Sequence, residues 1–244
     1  MMVMLSACAT GGWLTGMTVT ETVTICNTGG SDLIWCLKGS ESVAADMVGY
    51  PELILGKEET DPRPGILGSG GPDTYGHTWI DSDEPGGPIF SWVDISGTGT
   101  PVFGQYEDDD NYGPQPIGFD FEFYGNTFSE FRVSTNGWIS FTSTSTDFSN
   151  APLPGTGAPE NLLAVFHDDL RVDTSGGNNV YYQNVDGKLI VQWDGVPKYY
   201  SNGAQTFQAV LYLTGTIMYY YQSLTATILD SATIGIQNAT RDDG

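Results

Sequence analysis

The chain has 244 residues, enough for one large or two small domains, and carries 8 Lys+Arg against 30 Asp+Glu, a formal net charge of −22. That field disfavours nucleic acid and anionic lipid as partners, and no stretch approaches the ~20 apolar residues of a membrane-spanning helix. With 32 Gly, 13 Pro, 39% hydrophobic and 12% aromatic residues, the composition is that of many short strands joined by tight turns around a sizeable core.

Residues 1–16 are an apolar, glycine-containing arm ending in Trp13-Leu14. Leu5-Ser6-Ala7-Cys8 has the form of a bacterial lipoprotein cleavage box, but the basic n-region and longer apolar run of a signal are missing ahead of it. The segment therefore reads as mature chain, a fragment of a longer precursor. Residues 17–27 alternate as a strand through Val19, Val23 and Ile25, residues 27–32 turn, and Leu33, Ile34, Trp35 and Leu37 form an apolar second strand. Cys26 and Cys36 flank that turn, a placement that admits a cross-strand disulfide in an oxidising compartment; two reduced buried cysteines are the alternative. Residues 39–70, with Pro51, Pro62 and Pro64, read as a linker or a long excursion.

The main domain spans 71–244. Short strands are expected at 77–80, at 88–95 where Phe90 and Trp92 alternate, and around Val102-Phe103. Residues 117–142 are the organising stretch. Ile117, Phe119, Phe121 and Phe123 alternate with Gly118, Asp120 and Glu122, which puts the apolar side chains on one face. Gly125-Asn126 and Asn136-Gly137 then turn the chain twice, giving a three-strand meander, Asn-Gly being a strong hairpin signal. Residues 161–170 (NLLAVFHDDL) read as a buried strand with an acidic end. Hairpins follow around Asp186-Gly187 and Thr214-Gly215, and residues 232–237 close the domain. This pattern predicts an all-β, antiparallel two-sheet β-sandwich of jelly-roll or immunoglobulin-like type, with an N-terminal hairpin arm.

The runs GGPDTYGHTWIDSDEPGGPIFSWVDIS, IGFDFEFYGNTFSEFRVSTNGWISF, APENLLAVFHDDL, LIVQWDGVP and TFQAVLYLTGTIMYYY resemble a β-sandwich module of secreted bacterial and archaeal proteins, found in multidomain surface proteins and beside subtilisin-like proteases. The pattern FYG-N-T…V-S-T-N-G-W-I-S-F followed by L-L-A-V-F-x-D-D-L is similar to the nidogen-type extracellular domain. The resemblance covers about 71–240 and implies an extracellular or cell-surface, non-catalytic accessory role. Separately, TVTETVTICNTGGSDLIWCL resembles one hairpin of the immunoglobulin-like modules that neighbour such domains.

Catalysis has little support. No G-x-S-x-G elbow is present, and His167 beside Asp168-Asp169 lies on a strand whose neighbouring residues face opposite ways. Hard cations take several carboxylate and carbonyl oxygens, so the acidic clusters Asp81/Asp83, Asp108/Asp109/Asp110 and Asp168/Asp169 make Ca2+ the ion this chain admits. No other cofactor is implied. Trp138, Trp193 and Tyr219-Tyr220-Tyr221 are candidates for a sugar platform, with core packing the competing reading, and Asn238-Ala239-Thr240 is an N-glycosylation sequon. A lone two-stranded hairpin cannot bury its apolar side chains in water. Trp13, Leu14, Val19, Val23, Ile25, Leu33, Trp35 and Leu37 are therefore expected to be covered by the chain's own sandwich or by another copy. The leading expectation is a fibre subunit assembling with copies of itself by strand addition. A carbohydrate-binding or adhesion module contacting surface glycans is the alternative.

Overall fold

A computed structural model describes residues 2–5, 68–200, 203–226 and 231–244. The candidate assembly residues from Trp13 to Leu37, both cysteines of the expected disulfide and the 39–67 part of the linker lie outside these. The strands are β1 (Met2–Leu5), β2 (Ser69–Gly70), β3 (Trp79–Ile80), β4 (Thr100–Pro101), β5 (Tyr106–Asp108), β6 (Asn111–Phe123), β7 (Asn126–Ser134), β8 (Trp138–Ser140), β9 (Leu162–His167), β10 (Arg171–Asp173), β11 (Asn179–Val185), β12 (Lys188–Val196), β13 (Gln205–Tyr212), β14 (Ile217–Leu224) and β15 (Thr233–Gln237). A 3-10 turn at Thr174–Gly176 is the only helical element among the described residues.

The strands form a six-stranded sheet, β1-β14-β13-β12-β11-β4, and a five-stranded sheet, β15-β9-β8-β7-β6, with β10-β5 and β2-β3 as small ribbons. The pairings are antiparallel throughout. The two sheets bury one continuous core: Ile117, Phe121, Phe131, Val133 and Val165 from the five-stranded sheet meet Val191, Trp193, Phe207, Leu211 and Tyr219 from the six-stranded one. The molecule is thus the expected all-β sandwich. The alternation read from residues 117–123 holds, with Ile117, Phe121 and Phe123 buried and Phe119 packed against the same core.

Two turns differ from expectation. The β6–β7 turn is Tyr124-Gly125, since Phe123 pairs with Asn126 and both turn residues take positive φ, 47° and 72°. Tyr124 takes this conformation with its hydroxyl donating to Asp73 Oδ2 at 2.8 Å. Between β7 and β8, Gly137 has φ 76° but Asn136 does not have positive φ, so this is not a type I′ turn. A Cβ at Gly137 would fall 1.9 Å from the Phe166 carbonyl oxygen; this close backbone approach is what the glycine permits. The Asp186-Gly187 turn is as expected, with φ 51° and 73° and Val185 paired to Lys188.

Both outer faces are covered by irregular chain. Residues 88–96 lay Phe90, Trp92 and Ile95 over Ile190, Val210 and Tyr220. This stretch is not the expected strand. Its backbone bonds to side chains instead of a neighbouring strand: Ile95 N donates to Gln192 Oε1 (3.0 Å) and Val93 O accepts from Gln208 Nε2 (2.5 Å). On the other side Trp138, Leu162 and Ala164 are buried under Ala151, Leu153 and Ala158, and β9 is buried at every position.

At the free edge of β14, Met2–Leu5 pairs antiparallel, from Met2↔Tyr220 to Leu5↔Ile217. These four residues therefore extend a sheet of their own chain, whereas the candidate assembly residues from Trp13 onward lie outside the described residues.

Candidate functional site

Strand β7 connects two polar ends of the sandwich. At its C-terminal end, the loop before β8 places Asn136 fully inside. Its amide Nδ2 donates to Asp109 Oδ1 (3.0 Å), its Oδ1 accepts from Leu170 N (2.8 Å), its carbonyl accepts from Asp168 N (3.3 Å), and its own N–H donates to Ser134 Oγ (3.1 Å). Next to it, Ser134 O accepts from Trp193 Nε1 (3.0 Å). One side chain therefore ties the acidic loop after β5 to the turn after β9. This is the physical content of the S-T-N-G-W and F-H-D-D-L motifs.

The two loops bring Asp108, Asp109 and Asp169 together, with one ligand-type oxygen from each within 4.8 Å of the others. Asp169 is buried and its carbonyl accepts from Tyr199 N (2.8 Å). The charge of Asp108 is the main cause that pushes the Tyr199 phenol above its usual range. Across the β5–β10 ribbon, Arg171 pairs with Asp108 in register. Its guanidinium lies 5.9 Å from the Tyr106 ring centre and is held charged by the hydrogen bond to Tyr106 and by the charges of Asp173 and Asp108. Calcium takes six to eight oxygens, so the three carboxylates supply part of such a shell, with a cation already beside them.

The remaining acidic candidates do other work. Asp168 is paired with Lys198 at 2.8 Å, their side chains being 0% and 1% exposed. Ser231 Oγ accepts from Lys198 Nζ (2.7 Å) and donates to Asp168 Oδ2 (2.9 Å). A buried charge is tolerable only with such partners, so Asp168 is committed to Lys198. Asp110 folds onto Thr135: its carbonyl accepts from Thr135 N (3.0 Å), and its own N–H donates to Thr135 Oγ1 (3.1 Å). Asp81 is buried, accepts from Asp83 N (2.8 Å), and is pushed up chiefly by burial. Neither Asp81 nor Asp83 joins a three-acid group among the described residues.

At the N-terminal end of β7 the residues are arranged differently. Asp73 Oδ1 accepts from Gly76 N and His77 N, each at 2.7 Å. Asp73 Oδ2 accepts from His77 Nδ1 and from the Tyr124 hydroxyl, each at 2.8 Å. Burial pushes the Asp73 carboxyl up, but the hydrogen bonds and charge of His77 and the Tyr124 hydroxyl outweigh it and hold the group below the usual range. With Asp73 ionised, His77 Nδ1 is the protonated nitrogen. The same carboxylate and burial push the Tyr124 phenol far above its ordinary value, burial being the larger cause. On top of this network Tyr75 packs against the His77 and Tyr124 rings at 5.0 and 5.3 Å and stays 38% exposed. Tyr75, Tyr124, Asn126, Asn238, Thr240 and Asp243 border an open groove of about 390 Å³.

The aromatic residues expected as a sugar platform are all inside. Trp138, Trp193, Tyr219, Tyr220 and Tyr221 are buried. Trp193 stacks on Phe207 at 4.9 Å, Trp138 Nε1 donates to Asp147 O (3.1 Å), and Tyr219 OH donates to Gly235 O (3.2 Å). Burying each large side chain contributes roughly 1.5–3 kcal/mol, which outweighs a role at the surface. Asn238 of the sequon borders the groove, its Nδ2 donating to Asp242 Oδ1 (2.7 Å). Sequence reasoning missed Tyr75 because a single tyrosine in a Gly/Pro-rich run carries no periodicity.

Residues 89–243 match the family described as NIDO related. That is well over half of the chain, and the chain belongs to the NIDO-related family. The match begins after the Asp73–His77 segment, later than the position 71 suggested by the resemblance. It includes the β6–β7 turn, the Asn136 loop and both sheets apart from β1. A NIDO-related domain is typically an extracellular module. No solved structure matches the chain, and no helix of the described residues is long and apolar enough to cross a membrane.

Proposed function

We propose that this chain is a non-enzymatic, extracellular structural module of a larger protein, held rigid by its internal polar network. The observation that carries the reading is membership of the NIDO-related family across both sheets. The disposition of the histidines supports the non-enzymatic part. His77 and His167 are both buried. The Asp73–His77 pair receives a tyrosine hydroxyl on its carboxylate, whereas a nucleophile activated by histidine would sit at the imidazole.

Assembly into a fibre takes second place as a reading. The intramolecular pairing of Met2–Leu5 with β14 fills one sheet edge from within the chain and so favours a self-contained module. Protease shaving of intact source cells tests the main reading. Peptides from residues 89–243 are expected in the shaved fraction or the medium. Their recovery only after lysis would contradict an extracellular site. Fibres of the purified chain under the electron microscope, in place of discrete particles, would restore the assembly reading.

A further inference from the structure

The Tyr75 groove has three features that together define a ligand class. First, its platform is preorganised. The inner side of the Tyr75 ring rests on His77 and Tyr124, His77 stands edge-on to Tyr124 at 4.3 Å, and both are fastened to Asp73. A ring already immobilised loses little entropy when a ligand stacks on it. Second, the rim is polar and hydrogen-bonding: Asn126 and Thr240 place an amide and a hydroxyl beside the ring, next to Asn238, whose amide is engaged at both atoms by Asp242. Third, the rim is acidic. Asp243 borders the groove, Asp242 holds Asn238 and Thr240, and the chain as a whole carries −22. A ligand here must offer an apolar face to an aromatic ring, hydroxyls to amides and carboxylates, and no negative charge.

We propose that this groove binds a neutral sugar ring, stacked on Tyr75 with its hydroxyls directed to Asn126, Thr240 and Asp243. A pyranose has one face of C–H groups and an equatorial belt of hydroxyls, which is the pattern the groove complements. Its volume, about 390 Å³, is in the range of small-ligand sites. The platform comes from residues 73–77, ahead of the family-matched span, docked on the family's own β6–β7 turn. The sugar has two conceivable sources, a separate glycan or a glycan carried on Asn238, whose amide already borders the groove.

The test uses the full chain produced in a host without N-glycosylation. Glucose, galactose, mannose and N-acetylglucosamine are titrated while backbone amide resonances are followed. Binding is expected on the order of 1 mM for at least one of them. The shifts should be confined to Thr74, Tyr75, Asn126 and residues 238–243. Glucuronic acid should bind more weakly, and Asp243→Asn should narrow that difference; the asparagine keeps an oxygen for the Thr74 N–H that Asp243 now accepts at 2.8 Å. Tyr75→Ala should weaken the neutral sugar about tenfold, whereas Tyr75→Phe keeps the ring and the affinity. A second arm produces the chain in a glycosylating host: a glycan on Asn238 that perturbs the Tyr75 resonances would assign the attached source. Absence of any sugar effect at these amides in both arms overturns the proposal, as does equal binding by folded Tyr75→Ala.

Discussion

Asn126 and Asn136 lie at opposite ends of β7, a strand of nine residues and so about 30 Å long. Asn136 is fully buried and its polar groups are all used, two of them on the backbones of Asp168 and Leu170. Asn126 borders an open groove, and its Nδ2 donates to the neighbouring Tyr124 carbonyl at 3.1 Å. Carboxylates follow the same division. Asp168 is sealed against Lys198, whereas Asp243 stands at the groove. Acid-rich loops thus brace one end of the sandwich, while the same residue types line an open groove at the other.

The largest expected effect is on the brace. Lys198→Met leaves Asp168 buried without its cation and should cost ~3–5 kcal/mol, read by urea unfolding. Replacing both partners, Lys198→Met with Asp168→Leu, should recover much of the loss; a double variant as unstable as the single one would show that the loss does not come from an unpaired Asp168 charge. A smaller effect is expected at the groove's foundation. Asp73 is held below the usual carboxylate range, so its stabilising contribution is present above its unfolded value of about 3.9 and is lost as pH falls through the folded value. Asp73→Asn should therefore cost ~1–2 kcal/mol at pH 7, with the gap to the parent closing as pH falls through the lowered folded value of Asp73. A gap that stayed constant with pH would show that the charge of Asp73 plays no part.

The sheets were legible because burial imposes a period of two. Ile117, Phe121 and Phe123 face in as their spacing requires, and Asp186-Gly187 turns where its chemistry demands. The acidic brace was half legible. Asp108, Asp109 and Asp169 were singled out, but nothing local shows that Asn136 draws their two loops together, or that Lys198 claims Asp168 from a distant strand end. Residues 88–95 misled because alternation of Phe90 and Trp92 marks burial on one side, and a segment laid on glutamine side chains shows the same alternation as a paired strand. Trp138 and the Tyr219–Tyr221 run were open to a surface reading because aromatic residues serve both places; only the covering loops, remote in sequence, decide.

The expected division is that the Asn136 end carries stability and the Tyr75 end carries binding. Parallel urea unfolding of Asn136→Ala and Tyr75→Ala tests it most directly. Asn136→Ala removes a charge-assisted bond to Asp109 and leaves the buried Leu170 N–H without its acceptor, for an expected loss of ~2–4 kcal/mol; Tyr75→Ala, at a partly exposed ring, should cost under ~1 kcal/mol. A Tyr75→Ala chain as destabilised as Asn136→Ala, or an Asn136→Ala chain as stable as the parent, would contradict that division.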